Sequence, residues 1–346
     1  MDNYVGIHYS EIALKGGNRP YFEKKLKENI KKAVKNENYE KITRIHDRIL
    51  IKLDKKSNKT RITDKLKKVF GISHVYIAFS CDKEVDLIIK KSKKLIIDKN
   101  KTFKVQSSRR DKNFTLNSLE INEKIGESLY NDGYKVDVKN PDTILFIDIL
   151  DDIVLLYTEK IKCHGGLPVG SSGKALVLFS GGIDSPVASW EIMKRGCAPV
   201  YVHFHALQNN TKVESSKITR LIKTLTEYSN FSKLYIVPYD IFLVGFQGKN
   251  DMVIFRRFIN RVAEQIAKEE DAKVLVTGES IGQVSSQTLE NISVIEEVTK
   301  MPIIRPLITM NKDDIIRKAR EINTFDDSIE EYKDCCSIVS REGKTK

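Results

Sequence analysis

The chain has 346 residues, 40% of them hydrophobic and 31% charged, which is typical of a soluble globular protein with two or three domains. No apolar run approaches the roughly 20 residues of a membrane helix, and the N-terminus does not resemble a signal peptide, so we expect a cytoplasmic protein without membrane contacts. The net charge of +12 is concentrated in residues 1–173, which hold 35 Lys and Arg against 24 Asp and Glu, whereas residues 174–346 hold 24 against 23. A lysine-rich composition would have raised the charge of both halves, so the asymmetry favours a first half that binds a polyanion.

The first 58 residues predict a small α+β unit. Its expected elements are a strand, a helix and a strand pair, at residues 4–10, 21–34 and 42–53. A loop between the first strand and the helix places Lys15 and Arg19 beside two glycines, and we expect both cations to contact the polyanion. The polar stretch at residues 55–58 marks the expected boundary.

Residues 59–165 predict a second α+β domain. The expected helices begin near residue 63 and span 85–97 and 117–130, and the expected strands span 75–79, 102–106, 135–138 and 144–157. An exposed loop is expected to carry Arg109, Arg110, Lys112 and Phe114. Arginine and lysine supply phosphate contacts and an aromatic ring can stack on an unpaired base, although the same residues would suit an ordinary surface turn.

Four glycines between residues 162 and 174 make residues 166–173 a linker by composition. Residues 174–346 then alternate between strand-like and helical stretches. The expected strands are 175–179, 199–204, 233–237 and 273–277, and the expected helices are 186–195, 213–228 and 251–269. This alternation predicts a doubly wound, mostly parallel sheet with helices on both faces.

A glycine turn joins the first of these strands to the helix that follows. It reads Ser180, Gly181, Gly182, Ile183, Asp184 and Ser185, which is typical of a phosphate site at a helix N-terminus. We expect Ser185 to cap the helix and Pro186 to take its first position. The turn has no Gly-Lys-Ser/Thr ending, so it differs from the P-loop of enzymes that cleave γ-phosphate. Asp184 stands where that loop has its lysine and predicts a Mg²⁺ ligand for ATP phosphates that leave as pyrophosphate. A turn that serves packing alone is the alternative.

Other strand ends should meet at the same edge of the sheet. The candidate pocket residues there are Leu178 and Phe179, residues 203–205, residues 277–280, Gln283 and residues 285–287. Among them the candidate nucleotide contacts are Leu178, Phe179, His203, Phe204, Gly278 and Gln287, with Arg256 and Arg305 as candidate phosphate partners. Two of these assignments have ordinary alternatives. Histidines at a strand end also suit satisfied core polar groups, and Arg256 also suits a surface charge.

Two of the five cysteines are candidates for chemistry. Cys335 and Cys336 lie near the C-terminus in a polar setting, where a thiol can exchange sulfur if its thiolate is stabilised. Cys163 borders the linker and Cys197 precedes a strand, and both are interpreted as structural. No Cys-x-x-Cys pair is present, so neither a disulfide framework nor a metal site of familiar spacing is expected, and a reduced compartment fits the chain.

Several of these segments resemble motifs of the tRNA 4-thiouridine synthetases, the uracil 4-sulfurtransferases that thiolate position 8 of tRNA. The similarity covers nearly the whole chain, and its most specific part is the string Thr-Gly-Glu-Ser-Ile-Gly-Gln-Val-Ser-Ser-Gln-Thr at residues 277–288. Further similar segments lie at residues 11–16, 114–118, 165–170, 180–185 and 305–307.

The resemblance implies a multidomain α/β and α+β fold. Its expected parts are a ferredoxin-like domain at residues 1–58, an RNA-recognising THUMP domain at 59–165, a linker at 166–173 and a PP-loop pyrophosphatase domain at 174–346. It also implies that ATP adenylates the uridine C4 oxygen and that a persulfide sulfur then displaces AMP. Asp184 corresponds to the PP-loop aspartate, and the family's nucleotide contacts correspond to Leu178, Phe179, His203, Phe204, Arg256, Gly278 and Gln287. Cys336 aligns best with the cysteine of the PP-loop domain, and Cys335 is the alternative.

Some family members continue into a C-terminal rhodanese domain whose cysteine carries the persulfide, and this sequence resembles the short form without it. The resemblance therefore implies a cysteine desulfurase or another persulfide donor as a partner besides tRNA, and it also suggests a homodimer. Two other functions stay open from the residues alone. An amide-forming or NAD-synthetase-like ligase uses similar loops but leaves the basic half unexplained, and a non-catalytic RNA-binding protein leaves Asp184 and the cysteine pair unused.

Overall fold

The computed structural model describes residues 3–9, 11–96, 98–205, 209–239, 251–284 and 287–332. Its strands are β1 (Asn3–His8), β2 (Lys41–Ile45), β3 (Arg48–Lys52), β4 (His74–Cys81), β5 (Thr102–Arg109), β6 (Lys135–Val136), β7 (Thr143–Ile149), β8 (Val154–Tyr157), β9 (Ile161–Lys162), β10 (Lys174–Leu178), β11 (Ala198–His205), β12 (Lys233–Pro238), β13 (Ala272–Val276) and β14 (Ile303–Ile304). Its helices are α1 (Arg19–Ala33), α2 (Lys59–Lys67), α3 (Val85–Leu95), α4 (Ser118–Asn131), α5 (Asp184–Lys194), α6 (Thr211–Glu214), α7 (Lys217–Ser229), α8 (Asp251–Glu269), α9 (Leu289–Glu296), α10 (Lys312–Glu321) and α11 (Phe325–Ile329).

The chain divides into two compact units. The first unit comprises Met1–Leu14, Val34–Lys67 and Ile72–Gly165. The second unit comprises Lys15–Ala33, Lys68–Gly71 and Gly166–Lys346. Each unit is built around one sheet, so each is described in turn.

The sheet of the first unit has nine strands, in the order β2-β3-β1-β4-β8-β7-β5-β6, with β9 pairing β4. Strand β4 joins its two halves, because it pairs antiparallel with β1 from His74 to Phe79 and with β8 from Phe79 to Cys81. The sequence predicts two α+β regions here, and the structure shows that their strands form one continuous sheet. Strand alternation predicts that a strand exists but does not identify its neighbours, so this continuity could not be predicted.

Helix α4 shows how local sequence sets the elements of this unit. Asn117 and Glu120 form a capping box at its start, in which each side chain accepts from the other residue's backbone N–H. Ile121, Ile125 and Leu129 follow at spacings of four residues and are buried in the core against the sheet. The helix is therefore fixed by its cap and by a single apolar stripe.

A buried ion pair connects β3 to β7 in this sheet. Arg48 is 2% exposed and its guanidinium contacts the carboxylate of Asp148, which also accepts from the Tyr157 hydroxyl at 3.0 Å. The carboxylate of Asp47, which is less buried, lies 3.2 Å from Arg48 Nε. Because an unpaired buried charge is costly, Arg48 and Asp148 depend on each other.

His8 on β1 lies close to this ion pair and makes the stability of the fold depend on pH. Burial, reinforced by the charge of Arg48, lowers the pKa of His8 from 6.5 to about 4. Between those values the unfolded chain binds a proton that the native state does not, so the stabilisation is complete above pH 6.5 and is lost as the pH falls toward 4. We expect His8→Gln to reduce the loss of unfolding free energy between pH 7 and pH 5 by about 2 kcal/mol, as measured by urea titration. An unchanged pH dependence would show that His8 is not the group responsible.

The second unit contains a parallel sheet of five strands in the order β12-β11-β10-β13-β14. Ala175, Leu176 and Val177 of β10 are fully buried, as expected for a central strand covered on both faces. Helices α5, α7 and α10 contribute to the core on one face, and α8 contributes to the core on the other. The doubly wound fold predicted from the sequence is therefore confirmed. The strand order reverses at β10, so a ligand crevice is expected at the carboxyl ends of β10 and its neighbours.

The glycine-rich segment at residues 166–173 is a packed part of the second unit. Leu167 and Val169 are buried, and the Leu167 N–H donates to the carbonyl of Lys194 at 3.0 Å. The side chain of Asn29 on α1 donates to the Val169 carbonyl at 3.0 Å. The segment that composition predicts as a linker is therefore packed within the second unit, because its few apolar residues are buried in a core. Glycine content alone does not predict that burial.

Within the part of the chain that the structure describes, no helix combines the length and the apolarity needed to span a membrane.

Candidate active site

The candidate phosphate loop follows β10 and is closed by two serines. The hydroxyl of Ser185 donates to the Ser180 carbonyl at 2.8 Å and accepts from the Ser180 N–H at 3.1 Å. Helix α5 begins at Asp184, and Ile183 precedes it without a side-chain cap. The expected N-cap role of Ser185 is therefore wrong, because this residue lies inside the first turn and its hydroxyl closes the loop. The first turn of α5 still offers backbone N–H groups that have no helical carbonyl partner, which suits a phosphate.

Asp184 has two partners that come from later parts of the chain. Its Oδ1 lies 2.6 Å from Lys312 Nζ, at the start of α10, and its Oδ2 accepts from Gln283 Nε2 at 2.8 Å. Sequence reasoning did not identify Lys312. It follows the two-residue strand β14, which is too short to show alternation, so the rule that ligands meet at strand ends did not reach it. The structure thus brings one carboxylate, one ammonium and one amide to the mouth of the loop.

The surroundings of Asp184 fit a magnesium ion that is held mainly by phosphate oxygens. Gln283 Oε1 is buried and has no hydrogen-bond partner among the described residues, so a second oxygen donor lies beside the carboxylate. Those residues contain no group of three or more His, Cys, Asp or Glu side chains that could hold a metal by themselves. Mg²⁺ in nucleotide sites commonly uses one or two protein oxygens together with phosphates and water, so this donor set is compatible with it.

The two candidate phosphate arginines are joined by Glu279, which follows β13. This buried carboxylate accepts from Arg305 Nε at 2.8 Å and from Thr277 Oγ1 at 3.0 Å, and it also contacts Arg256. Arg305 Nη1 lies 3.0 Å from a carboxylate oxygen of Glu296. Arg305 Nη2 is buried without a hydrogen-bond partner in the described ranges, so it is the nitrogen of this group that an incoming anion can use. The sequence predicts both arginines and places Glu279 among the strand-end residues, but it does not predict that this carboxylate contacts both arginines.

The residues expected around a nucleotide base lie at the ends of β10 and β11. Phe179, His203 and Phe204 are buried, and Leu178 is half-buried. The Phe179 N–H donates to the Val202 carbonyl at 2.8 Å, and the Phe179 carbonyl accepts from His203 Nδ1 at 2.8 Å. The backbone of Phe179 therefore bonds within the sheet edge, and His203 has the partners that a satisfied core histidine requires.

Gly278 and Gln287 lie on the side of the crevice that follows β13. A Cβ atom at Gly278 would lie 2.9 Å from the Asp184 carbonyl carbon and from the Ser185 nitrogen, so only glycine fits against the start of α5. Gln287 is 6% exposed and its Oε1 has no hydrogen-bond partner in the described part of the chain. A buried amide oxygen left unpaired favours a ligand donor at this position.

The sulfur-bearing candidates Cys335 and Cys336 lie outside the described residues. Of the cysteines that the structure describes, Cys81 and Cys163 have pKa values raised by burial to about 11, and burial also raises the pKa of Cys197. A thiol with a raised pKa is a poor nucleophile near neutral pH. These three cysteines therefore suit structural positions.

In the first unit, the residues expected to contact RNA at the end of β5 differ in how far neighbouring residues hold their side chains. The Arg109 guanidinium donates to the Phe114 carbonyl at 3.0 Å, and that of Arg110 contacts Asp47. Lys112 is exposed. Phe114 is 8% exposed and belongs to the core beneath α4, so its expected stacking on an unpaired base is wrong. The ring supplies apolar area to the small core of this unit instead.

In the second unit, the two expected RNA contacts lie where α1 begins. Lys15 lies with its ammonium 5.3 Å from the centre of the Phe22 ring. Arg19 is the first residue of α1, and its Nε lies 2.7 Å from the carboxylate of Glu23. Both cations are partly exposed, so each can still reach a phosphate from its present position.

Comparison with known proteins identifies the three parts of the chain. Residues 4–76 match the ThiI ferredoxin-like domain, residues 85–159 match the THUMP domain, and residues 170–346 match the family described as thiamine biosynthesis protein (ThiI). A probable tRNA sulfurtransferase of Thermoanaerobacter sp. is 40% identical over 354 residues, covering 100% of this chain and 92% of the relative. One of Finegoldia magna is 40% identical over 352 residues, covering 98% and 90%.

Two solved structures agree with this assignment. A 4-thiouridine synthetase in complex with RNA and bound ATP has a TM-score of 0.88 at 37% identity, covering 100% of this chain and 92% of that one. The protein PH1313 of Pyrococcus horikoshii has a TM-score of 0.70 at 26% identity, covering 93% and 99%. The resemblance, the fold class and the enzyme class inferred from the sequence are confirmed: the chain belongs to the tRNA sulfurtransferase family.

Proposed function

We propose that the chain uses ATP to convert the uridine at position 8 of tRNA to 4-thiouridine. The observation that carries this proposal is the loop from Ser180 to Ser185, which lies where the strand order reverses and places Asp184 beside Lys312 and Gln283. The THUMP match and the similarity to a 4-thiouridine synthetase with bound RNA and ATP support tRNA and ATP as the substrates.

We assign the triphosphate of ATP to the phosphate loop and to the cations around it. The phosphates would lie against the loop residues Ser180, Gly181, Gly182 and Ser185 and the N-terminus of α5. Lys312 supplies a cation there, and Arg305, positioned by Glu279 together with Arg256, supplies its unpaired nitrogen. Mg²⁺ would be held by Asp184 and Gln283, and when bound it neutralises phosphate charge and favours departure of pyrophosphate.

We assign the adenine base of ATP to the apolar end of the crevice. We assign it to Leu178, Phe179, His203 and Phe204 on one side, and to Gly278 and Gln287 on the other. The unpaired Oε1 of Gln287 can accept from the exocyclic amine of adenine. The buried aromatic side chains exclude water from that end, which strengthens each polar contact.

The reaction proceeds in two displacements. The C4 oxygen of uridine attacks the α-phosphorus of ATP, and the bond from that phosphorus to pyrophosphate breaks. A sulfur nucleophile then attacks C4, and AMP leaves with the former uridine oxygen. The first step releases the N3 proton of uridine. With hydrosulfide, the hydrogen of the nucleophile ends on N3 in the second step, and no oxidation state changes. With a persulfide, the sulfur–sulfur bond must next be cleaved by a thiol, which forms a disulfide that a reductant reopens.

We assign the sulfur carrier to Cys336, with Cys335 as the alternative, and the sulfur source to a cysteine desulfurase or another persulfide donor. A homodimer is also part of the proposal. All three assignments rest on the family resemblance. The raised pKa values of Cys81, Cys163 and Cys197 bear on the sulfur carrier alone, because they make those thiols poor candidates for it.

tRNA binding is assigned to the cations Lys15, Arg19, Arg109, Arg110 and Lys112. We expect Lys112→Ala to weaken tRNA binding a few-fold and to reduce the slope of log affinity against log salt by about 1, since one phosphate contact is lost. The measurement is filter binding over a series of KCl concentrations. Arg109→Ala should also lower the thermal stability, because its guanidinium holds the loop carbonyls, whereas Lys112→Ala should not. An unchanged salt slope in Lys112→Ala would remove this residue from the interface.

The proposed function is tested by incubating the full chain with unmodified tRNA, Mg-ATP and sulfide. We expect AMP and 4-thiouridine to form together and to depend on tRNA. A ligase would release AMP with a small acceptor and without tRNA, and a non-catalytic RNA-binding protein would release none. Either of those results would contradict the proposal.

A further inference from the structure

A buried lysine outside the contacts assigned so far lies against the phosphate loop. Lys217 is the first residue of α7 and is 6% exposed. A Cβ atom at Gly181 would be 2.7 Å from Lys217 Cε. The ammonium nitrogen is one bond beyond Cε, so it lies within about 6 Å of Gly181 Cα. A positive charge is therefore held next to the loop to which the triphosphate is assigned.

The end of α11 fixes the position of this ammonium. Lys217 Nζ donates to the carbonyls of Ser328 at 2.8 Å and of Glu330 at 2.7 Å. It also lies 5.8 Å from the centre of the Tyr332 ring. Carbonyl groups and a ring face carry no net charge, so they hold the ammonium without neutralising it. The charge is therefore already in place when an anion enters the loop, and no rearrangement is needed before it can act.

The start of α7 adds to the positive potential at the loop. Ile218 Cδ1 would be 3.2 Å from the same Cβ atom at Gly181, so the first turn of this 13-residue helix abuts the loop. Burial and the positive end of the helix dipole both oppose a cation at residue 217. An anion in the loop would instead be attracted by the dipole and by the ammonium together.

We propose that Lys217 is a further cation of the phosphate site and stabilises the negative charge of the leaving pyrophosphate. When the bond from the α-phosphorus to the bridging oxygen breaks, both of its electrons stay on that oxygen, so negative charge accumulates on the pyrophosphate. A fixed positive charge beside the loop stabilises that transition state more than it stabilises bound ATP. The inference rests on the proposed function and deepens it, because it adds a residue to the adenylation step.

Lys217 differs from Lys312, the cation already assigned to the loop, in its burial. The Lys312 side chain is 41% exposed and its ammonium lies 2.6 Å from the Asp184 carboxylate, so water, salt and that carboxylate all weaken its field. Because Lys217 is buried, dissolved salt screens its charge much less. We therefore expect the contribution of Lys217 to persist at high salt.

The alternative is that Lys217 only caps the carbonyls at the end of α11 and stabilises the fold. The two roles differ in which ligands they affect. A charge beside the loop acts on phosphates and leaves the binding of an uncharged nucleoside unchanged. A loss of folding contacts would distort the whole crevice, and it would weaken the binding of phosphates and of a nucleoside alike.

The test compares the full wild-type chain with Lys217→Met, which keeps the length of the side chain and removes its charge. We expect tRNA-dependent AMP release with Mg-ATP and sulfide to fall at least about tenfold. The inhibition constant of inorganic pyrophosphate should rise at least about fivefold, at low and at high KCl concentration alike. Adenosine, which has no phosphates, should inhibit both proteins with constants that agree within about twofold.

Two more variants at the same position keep the test independent of how well methionine is tolerated. Lys217→Gln is a second neutral variant, for which the same results are expected. Lys217→Arg keeps the charge and should restore the pyrophosphate inhibition constant to within about threefold of wild type. Urea titration of each variant separates these effects from changes in the unfolding free energy.

Lys223→Met is the matched control, because it makes the same change at an exposed position of α7. It should leave AMP release and pyrophosphate inhibition within about twofold of wild type. Unchanged pyrophosphate inhibition in the neutral variants of Lys217 would overturn the inference, as would a parallel weakening of pyrophosphate and adenosine inhibition. A wild-type chain that releases no AMP in the presence of tRNA would instead refute the proposed function.

Discussion

Asp184→Asn should reduce tRNA-dependent AMP release by at least about 100-fold while leaving tRNA affinity nearly unchanged. The substitution keeps the size of the side chain and removes the charge that faces Lys312, 2.6 Å away, at the mouth of the phosphate loop. An amide binds Mg²⁺ more weakly than a carboxylate does, so the charge balance around the leaving pyrophosphate is lost. The tRNA contacts assigned above are carried by other residues, so binding should persist.

The control for this substitution is Asp313→Asn, which removes an exposed carboxylate in the first turn of α10, next to Lys312. It should leave AMP release within about twofold of wild type. The measurements are AMP release by chromatography, tRNA affinity by filter binding, and unfolding free energy by urea titration. A parallel loss of AMP release and tRNA affinity in Asp184→Asn would contradict the assignment of Asp184 to the chemical step.

Asp148→Asn should lower the unfolding free energy of the first unit by about 3–5 kcal/mol. The carboxylate faces Arg48, whose side chain is 2% exposed, and an amide would leave that guanidinium charged and buried without a counter-charge. The Tyr157 hydroxyl also loses a charged acceptor at 3.0 Å. The loss should appear in urea titration as a lower midpoint.

Asp47→Asn is the control that distinguishes the effect of burial from the effect of charge alone. It also removes a carboxylate near Arg48, but a less buried one. The Asp47 side chain is 31% exposed, so water screens its contribution and its loss should cost about 1 kcal/mol or less. Equal losses in the two variants would show that the ion pair with Asp148 gains nothing from being buried.

The sequence predicted the parts of the fold that depend on neighbouring residues. The strand at 175–179, the glycine turn and the following helix are found as β10, the loop and α5, because apolar runs and glycine turns act over a few residues. The alternation of strands and helices after residue 174 identified the parallel sheet for the same reason. Strand-end loops then indicated which residues should converge, and Asp184 and Gln283 do lie together.

The parts that sequence reasoning missed depend on contacts between distant residues. Lys312 reaches Asp184 across 128 positions, and nothing in its local sequence distinguishes it from the other lysines. Glu279 binds both Arg256 and Arg305, which the sequence predicts only as two separate phosphate partners. Phe114 resembled a stacking residue because of its basic neighbours, but burial is decided by the fold of the whole domain.

The central claim is that the loop activates the uridine oxygen so that sulfur can replace it. The most direct test uses tRNA that carries oxygen-18 at C4 of uridine 8, with the full chain, Mg-ATP and sulfide. If the uridine oxygen is adenylated, one oxygen-18 atom should appear in the phosphate of each AMP released, in step with the 4-thiouridine formed. AMP without the label, in a reaction that does form 4-thiouridine, would contradict the account.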